Sequence, residues 1–159
     1  MTETVTGQPA PAADKLVPAS ISSDAGFLLA KLHAAGSVIN NRALEEFDLK
    51  ERSYSVLALA ASGLEPSQRE MAGFLSLDPS QIVSLVDDLE KRGLVLRAPG
   101  KQDRRAKIVT ATPEGQKLFS AATKSTRRAE AEALDRLDRE EIAELKRLLR
   151  KALWPSLEA

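Results

Sequence analysis

Residues 70–115 decide the fold of this chain, and they read EMAGFLSLDPSQIVSLVDDLEKRGLVLRAPGKQDRRAKIVTATPEG. Two helix starts lie close together here. Ser67 and Glu70 form a capping box for one helix, and Asp78 is a good N-cap for the next. A turn of about four residues, 75–78, separates the two helices. This arrangement predicts a helix-turn-helix.

The second of these helices is followed by two short strands. Ile82, Leu85, Val86 and Leu89 recur at helical spacing as one apolar stripe, and Gly93 ends the helix. The runs LVLRA and AKIVTA have strand composition and flank a Pro-Gly turn, so they predict a β-hairpin. Helix, turn, helix and hairpin, in this order, predict a winged helix-turn-helix.

Further helices are predicted on both sides of this lobe. Ser23 or Asp24 caps a long first helix, and a second helix runs from about residue 53 to 61. Thr112 and Asp138 begin the last two helices. The helices at both ends carry more apolar surface than one small lobe can cover, which favours a symmetric dimer.

The predicted organisation is one domain between two tails. Residues 1–22 are rich in Thr, Ala and Pro and have little apolar surface to bury, so we expect a mobile tail there. Residues 23–154 form the domain, and 155–159 form a short C-terminal tail. The fold class is mainly α with a small β-hairpin wing (α+β). The parts of the domain are a winged lobe at about 50–112 and dimerisation helices at about 23–47 and 113–154.

Composition excludes several classes of function. Lys plus Arg and Asp plus Glu both number 23, so any affinity for nucleic acid must come from uneven placement of charge. The chain has no cysteine and one histidine, which excludes disulfides, thiolate chemistry and a His-cluster metal site. The sequence contains neither a nucleophile–base pair nor a Gly-rich phosphate loop, so we do not expect an enzyme. We expect a cytoplasmic protein with no membrane span, no metal and no cofactor.

The hairpin carries a local excess of positive charge. Between residues 90 and 107, seven side chains are cationic and two are acidic. The cationic residues are Lys91, Arg92, Arg97, Lys101, Arg104, Arg105 and Lys107. DNA affinity depends largely on phosphate neutralisation, and narrow minor grooves attract arginine. We therefore expect the hairpin tip to enter a minor groove while the neighbouring helix lies in the major groove.

One acid, Asp103, lies within this basic tip. Fixing a free arginine side chain costs roughly 2 kcal/mol of rotamer entropy. A carboxylate two residues away can hold the guanidinium of Arg105 in a plane that points outward. The alternatives are a solvated basic turn, or a winged-helix module that binds protein and no DNA. Salt-dependent binding to duplex DNA distinguishes them.

Residues 70–115 resemble the core of the MarR family of bacterial transcriptional regulators. The most specific part is Asp-Arg-Arg, an alternating strand, a Thr, and then Glu-Gly opening a helix. The resemblance extends more weakly over residues 23–154. It implies a ligand-responsive, homodimeric repressor of a palindromic operator, released by a small aromatic or phenolic effector.

The resemblance also implies roles for individual residues. The recognition helix would be 78–92, and the residues on its outward face would contact bases: Ser80, Gln81, Val83 and Ser84. In the wing, Arg105 would enter the minor groove with Asp103 as its holder. Arg104 would contact the DNA backbone, and Lys101 would lie beside it on the tip.

The single histidine and the single tryptophan lie outside the winged lobe. The family's effector pocket lies between the first helix, the second helix and the start of the fifth. His33, on the first helix, would then hydrogen-bond an acidic or phenolic ligand. The alternative for His33 is a partly exposed helix position. Trp154 is expected to anchor the core or the dimer.

Overall fold

The computed structural model describes residues 14–100 and 107–154. Contacts divide the chain into two compact units, residues 1–35 and 36–159. Among the described helices, none has the length and hydropathy needed to cross a membrane.

The first unit contains the start of helix α1 (Ala25–Leu44). Two short 3-10 turns precede this helix, at Asp14–Leu16 and Ser20–Ser23. The first lies within the predicted N-terminal tail, and the second ends one residue beyond it. A carboxylate oxygen of Asp24 accepts a hydrogen bond from the backbone N–H of Phe27 at 2.9 Å. Of the two predicted caps of this helix, Asp24 therefore takes the role.

The second unit contains the end of α1, a short 3-10 turn at residues 45–47, five helices and an antiparallel pair of strands within the described residues. In chain order these are α2 (Glu51–Ala60), α3 (Gln68–Leu75), α4 (Pro79–Lys91), β1 (Val95–Pro99), β2 (Lys107–Ala111), α5 (Pro113–Ala133) and α6 (Arg139–Leu153). The predicted fold class, mainly helical with a small β-hairpin, is confirmed.

The helix starts follow from local side-chain chemistry. Ser67 accepts from the backbone N–H of Glu70 at 3.2 Å, and the Glu70 carboxylate accepts from the backbone N–H of Ser67 at 2.7 Å. Asp78 accepts from the backbone N–H of Ser80 at 2.8 Å, and Asp138 accepts from the first turn of α6. Each cap satisfies a backbone N–H that has no partner inside its helix.

The core of the second unit lies where α2, α3, α4 and the hairpin meet. Three residues of the predicted α4 stripe, Ile82, Val86 and Leu89, are buried, and Leu85 packs against them from a half-buried position. The other large side chains that are fully buried are Leu44, Val56, Leu57, Met71, Val95 and Val109. Burial of this stripe fixes which face of α4 points outward.

The two strands pair in antiparallel register, with Arg97 opposite Val109. The backbone N–H of Val109 donates to the carbonyl of Pro66 at 2.9 Å, so the loop before α3 borders the hairpin. A two-stranded hairpin is only marginally stable alone, and these contacts hold its base against the lobe.

Thr112 and Gly115 join the hairpin to α5. The Thr112 hydroxyl donates to the carbonyl of Gly93 at 2.7 Å and accepts from the N–H of Gly115 at 3.0 Å. The backbone N–H of Thr112 donates to the carbonyl of Leu94 at 3.0 Å. A Cβ added at Gly115 would lie 1.9 Å from that same carbonyl oxygen. Only glycine fits this close approach of α5 to the chain that follows α4.

Phe74 and Trp154 form an aromatic contact on the surface of the second unit. Their rings stack with centroids 5.8 Å apart and planes 9° apart. Phe74 is 59% exposed and Trp154 is 38% exposed. The residue that follows α6 therefore packs on the first helix of the helix-turn-helix.

Candidate nucleic-acid interface

The outward face of α4 carries the four predicted base-contact residues. Ser80, Gln81, Val83 and Ser84 are all exposed, and they alternate with the buried positions of the apolar stripe. The structure therefore presents these side chains together on the surface of the predicted recognition helix, in its first half.

Ser80 has a second role at the start of α4. Its hydroxyl and its backbone N–H both donate to one carboxylate oxygen of Asp78, at 2.5 and 2.8 Å. These hydrogen bonds, the side-chain one first, lower the pKa of Asp78. Because the hydroxyl proton is already used, Ser80 presents mainly acceptor lone pairs to solvent.

Two arginines of the counted basic excess are bound within the chain. The Arg92 guanidinium donates to the carbonyls of Asp48 and Phe47, at 2.6 and 2.9 Å. The Arg97 guanidinium donates to Glu90 at 2.5 Å and to Asp87 at 2.6 Å. Counting charges along the sequence therefore overestimated the positive charge available to a partner.

The remaining described cations of this segment are on the surface. Lys91 lies 3.9 Å from the Asp88 carboxylate one helical turn earlier, and both side chains are well exposed. Such a pair contributes little to stability, so Lys91 can exchange this partner for a phosphate. Lys107, the first residue of β2 and the partner of Pro99 at the end of the strand pair nearest the tip, is also exposed.

The predicted tip of the wing lies outside the described residues. This applies to Lys101, Asp103, Arg104 and Arg105. The assigned roles of these four residues, including the positioning of Arg105 by Asp103, stay predictions from the sequence.

His33 lies on the exposed surface of α1 within the first unit. This agrees with the alternative of an exposed helix position. Its hydrogen bond to an effector stays a prediction.

The structure shows polar groups in the second unit that sequence reasoning missed.

The first of these groups joins the second half of α1 to α2. Ser37 donates to the Glu51 carboxylate at 2.5 Å, and the Asn41 side chain accepts from the backbone N–H of Glu51 at 2.9 Å. The second group joins α2 to α5. The Tyr54 hydroxyl lies 3.2 Å from the hydroxyl of Thr123 and accepts from Thr126 at 3.3 Å. The residues of each group lie far apart in the sequence, so no local pattern predicted that either group would form.

Acid is expected to weaken the helix-turn-helix through its caps. Hydrogen bonds from Ser67 lower the pKa of Glu70, as those from Ser80 lower that of Asp78. Both carboxylates therefore stabilise the folded chain fully at a pH above their ordinary pKa values of 4.5 and 3.8. This contribution is lost as the pH falls through the lowered pKa values of the folded chain.

Urea unfolding of the wild type and of Asp78→Asn, from neutral pH down to about pH 3, checks this. Asparagine still accepts a hydrogen bond at an N-cap but has no carboxyl to titrate. The difference in unfolding free energy between the two proteins should narrow as the pH falls. A difference that stays constant would contradict the prediction.

Known proteins are similar to this chain in sequence and in fold. The MarR family model matches residues 49–107. A transcriptional regulator of the MarR family from Rhodococcus sp. RHA1 is 37% identical with a TM-score of 0.82, and the match covers 87% of this chain and 98% of the other.

Two further solved structures have the same fold. CouR from Rhodococcus jostii RHA1, bound to p-coumaroyl-CoA, is 37% identical with a TM-score of 0.77, covering 87% of this chain and 97% of that one. A mutant MarR from E. coli complexed with operator DNA has a TM-score of 0.71 at 22% identity, covering 91% and 99%. The last similarity concerns the fold alone.

Proposed function

Because the chain belongs to the MarR family of transcriptional regulators, we propose that it is a homodimeric repressor of a palindromic operator, released by a small aromatic or phenolic effector. The observation that carries this proposal is the exposed face of α4, where Ser80, Gln81, Val83 and Ser84 stand opposite a buried stripe. Small polar residues there can approach base edges closely, Gln81 can pair with adenine, and Val83 can contact a thymine methyl.

The homodimer is supported by α6. Within Arg139–Leu153, all of which is described, no residue is buried in the single chain. Leu148 and Leu153 are 49% and 64% exposed, and Ile142, Leu145 and Leu149 are only half-buried. A second copy of the chain can cover this apolar face symmetrically. A two-fold dimer would then place two copies of α4 about 34 Å apart, one turn of DNA.

The effector proposal is supported by the polar groups on α1, α2 and α5. Tyr54, Thr123 and Thr126 present hydroxyls, and Ser37 with Glu51 offers a further polar pair. These groups suit an aromatic ligand that carries a hydroxyl or an acyl function. CouR is bound to the thioester of such a ligand, which makes an aromatic acyl-CoA a candidate beside the free acid. Release follows if the ligand favours a dimer shape that cannot span both half-sites.

Selection from a random duplex library by the purified wild-type protein tests this function. We expect an inverted repeat whose half-site centres lie about 10 base pairs apart, with affinity that falls steeply as salt rises. Addition of p-coumarate or p-coumaroyl-CoA should reduce binding to the selected duplex, whereas coenzyme A alone should not. If no duplex binds even at low salt, the protein-interaction module is the better explanation. Selection of a single, non-repeated site would argue against the dimeric mode.

A further inference from the structure

Arg97 was counted among the cations of the predicted interface, but its guanidinium is bound within the chain. We propose that Arg97 is a positioning residue, which fixes the β-hairpin relative to α4 and thereby sets operator affinity without touching DNA. This inference rests on the proposed DNA-binding function and names a residue on which it depends.

One guanidinium connects three elements of the lobe. From β1, Nε of Arg97 donates to the side chain of Gln68 on α3 at 3.0 Å. Its two terminal nitrogens donate to α4: Nη1 to Glu90 at 2.5 Å, and Nη2 to Asp87 at 2.6 Å and to the carbonyl of Val83 at 3.3 Å. The planar fork of an arginine can satisfy such a set of acceptors at once, and lysine cannot.

The strand backbone is held by the same acid. One oxygen of Glu90 accepts from the backbone N–H of Arg97 at 3.1 Å, while the other accepts from its side chain. Asp87 and Glu90 are three residues apart, so their side chains lie on one side of α4. This side of the recognition helix is therefore clamped to β1 at both backbone and side-chain level.

Burial and charge argue against a direct role for Arg97 in binding phosphate. The Arg97 side chain is only 16% exposed, less than the carboxylates of Asp87 and Glu90 at 46% and 37%. A phosphate would have to displace two close, charge-assisted hydrogen bonds to reach it. The guanidinium also neutralises two acids on the helix that is proposed to approach DNA.

Position matters because the helix and the hairpin would meet DNA together. Winged lobes place a helix in the major groove and a wing beside it, so a change in their mutual angle loses specific contacts. Non-specific binding depends on phosphate neutralisation alone and tolerates such a change. Loss of the Arg97 clamp should therefore lower affinity for the operator much more than affinity for unrelated duplex.

Asp87→Ala and Asp88→Ala form a matched pair for the test. Both remove one negative charge from neighbouring positions of α4, but only Asp87 contacts Arg97, whereas Asp88 is 69% exposed beside Lys91. Electrostatics alone predicts equal or tighter DNA binding for both. Our proposal predicts that Asp87→Ala lowers affinity for the duplex selected by the wild type about tenfold, while Asp88→Ala binds as well as the wild type or better.

Arg97→Lys keeps the charge and removes the fork. We expect a similar loss of affinity for the selected duplex, and affinity for unrelated duplex within about twofold of the wild type. The slope of log affinity against log salt should be unchanged. All variants are measured at a temperature where circular dichroism shows the wild-type helix content, so that loss of folded protein is not counted as loss of affinity. If Asp87→Ala does not fold, Arg97→Lys carries the test alone.

Different results separate this inference from the proposed function. Wild-type protein without affinity for any duplex would overturn both. If the wild type binds the selected duplex and Asp87→Ala binds it with the same affinity as Asp88→Ala, the positioning role is overturned and the proposed function stands. The same holds if Arg97→Lys binds with the affinity of the wild type. Equal losses on selected and unrelated duplexes would also overturn it, because they would indicate a phosphate contact.

Discussion

Gly115→Ala is expected to destabilise the protein by about 3 kcal/mol or more, because the new methyl group meets backbone and no flexible side chain. Its Cβ would lie 1.9 Å from the carbonyl oxygen of Leu94 and 2.9 Å from the carbonyl carbon. Relief requires α5 to move away from Leu94, which strains the hydrogen bonds of Thr112 to Gly93 and Leu94. Thermal unfolding should show Tm lower by roughly 6–12 °C.

Gly73→Ala provides the control for this substitution. Gly73 also lies within a helix, α3, but a Cβ there meets no atom within 4 Å. Alanine at such a position should leave stability unchanged or raise it by up to about 1 kcal/mol, because it has the higher helix propensity. Both variants are melted at one protein concentration, since the proposed dimer would make Tm concentration-dependent. If the Gly115→Ala and Gly73→Ala proteins have the same Tm, the junction between the hairpin and α5 tolerates a side chain at residue 115.

Arg105→Ala is expected to lower operator affinity by about 10- to 100-fold, the loss typical of one arginine that reaches into a groove. The residue lies outside the described part of the chain, so the expectation depends on the sequence and on membership of the family. An arginine in a narrow minor groove gains from the enhanced negative potential there and from counterion release. The slope of log affinity against log salt should fall by about 0.9.

Two companion variants decide what this loss means. Arg139→Ala removes the same charge from the start of α6 and should change operator affinity little. Asp103→Ala removes a negative charge from the wing, yet it should weaken binding if Asp103 holds the Arg105 side chain. Tighter binding by Asp103→Ala would mean that the aspartate only repels DNA.

Sequence reasoning succeeded where the cause is local. The Ser67–Glu70 box, the Asp78 cap and the Thr112 cap each involve residues within three positions of one another, so their chemistry is visible in the sequence. The apolar stripe of α4 is equally local, because helical periodicity alone brings its members to one side. The order of the elements around the hairpin follows from these signals.

Sequence reasoning failed where the partners come from separate elements. Arg97 was counted as a cation for DNA because nothing in a charge count shows that β1 lies against Asp87 and Glu90 of α4. Phe74 fits the apolar period of α3, yet it is exposed and packs on Trp154, a residue from the far end of the chain. Only the tertiary structure brings such partners together.

The stack of Trp154 on Phe74 gives this protein a built-in optical reporter. Trp154 is the single tryptophan of the chain, so every change in indole emission originates at this residue, whose ring stacks on Phe74. Excitation of the unlabelled protein therefore monitors the meeting of α6 with α3 without interference from any other indole. A change in fluorescence at constant far-ultraviolet ellipticity would report a change in the surroundings of the Trp154 ring while the secondary structure stays intact.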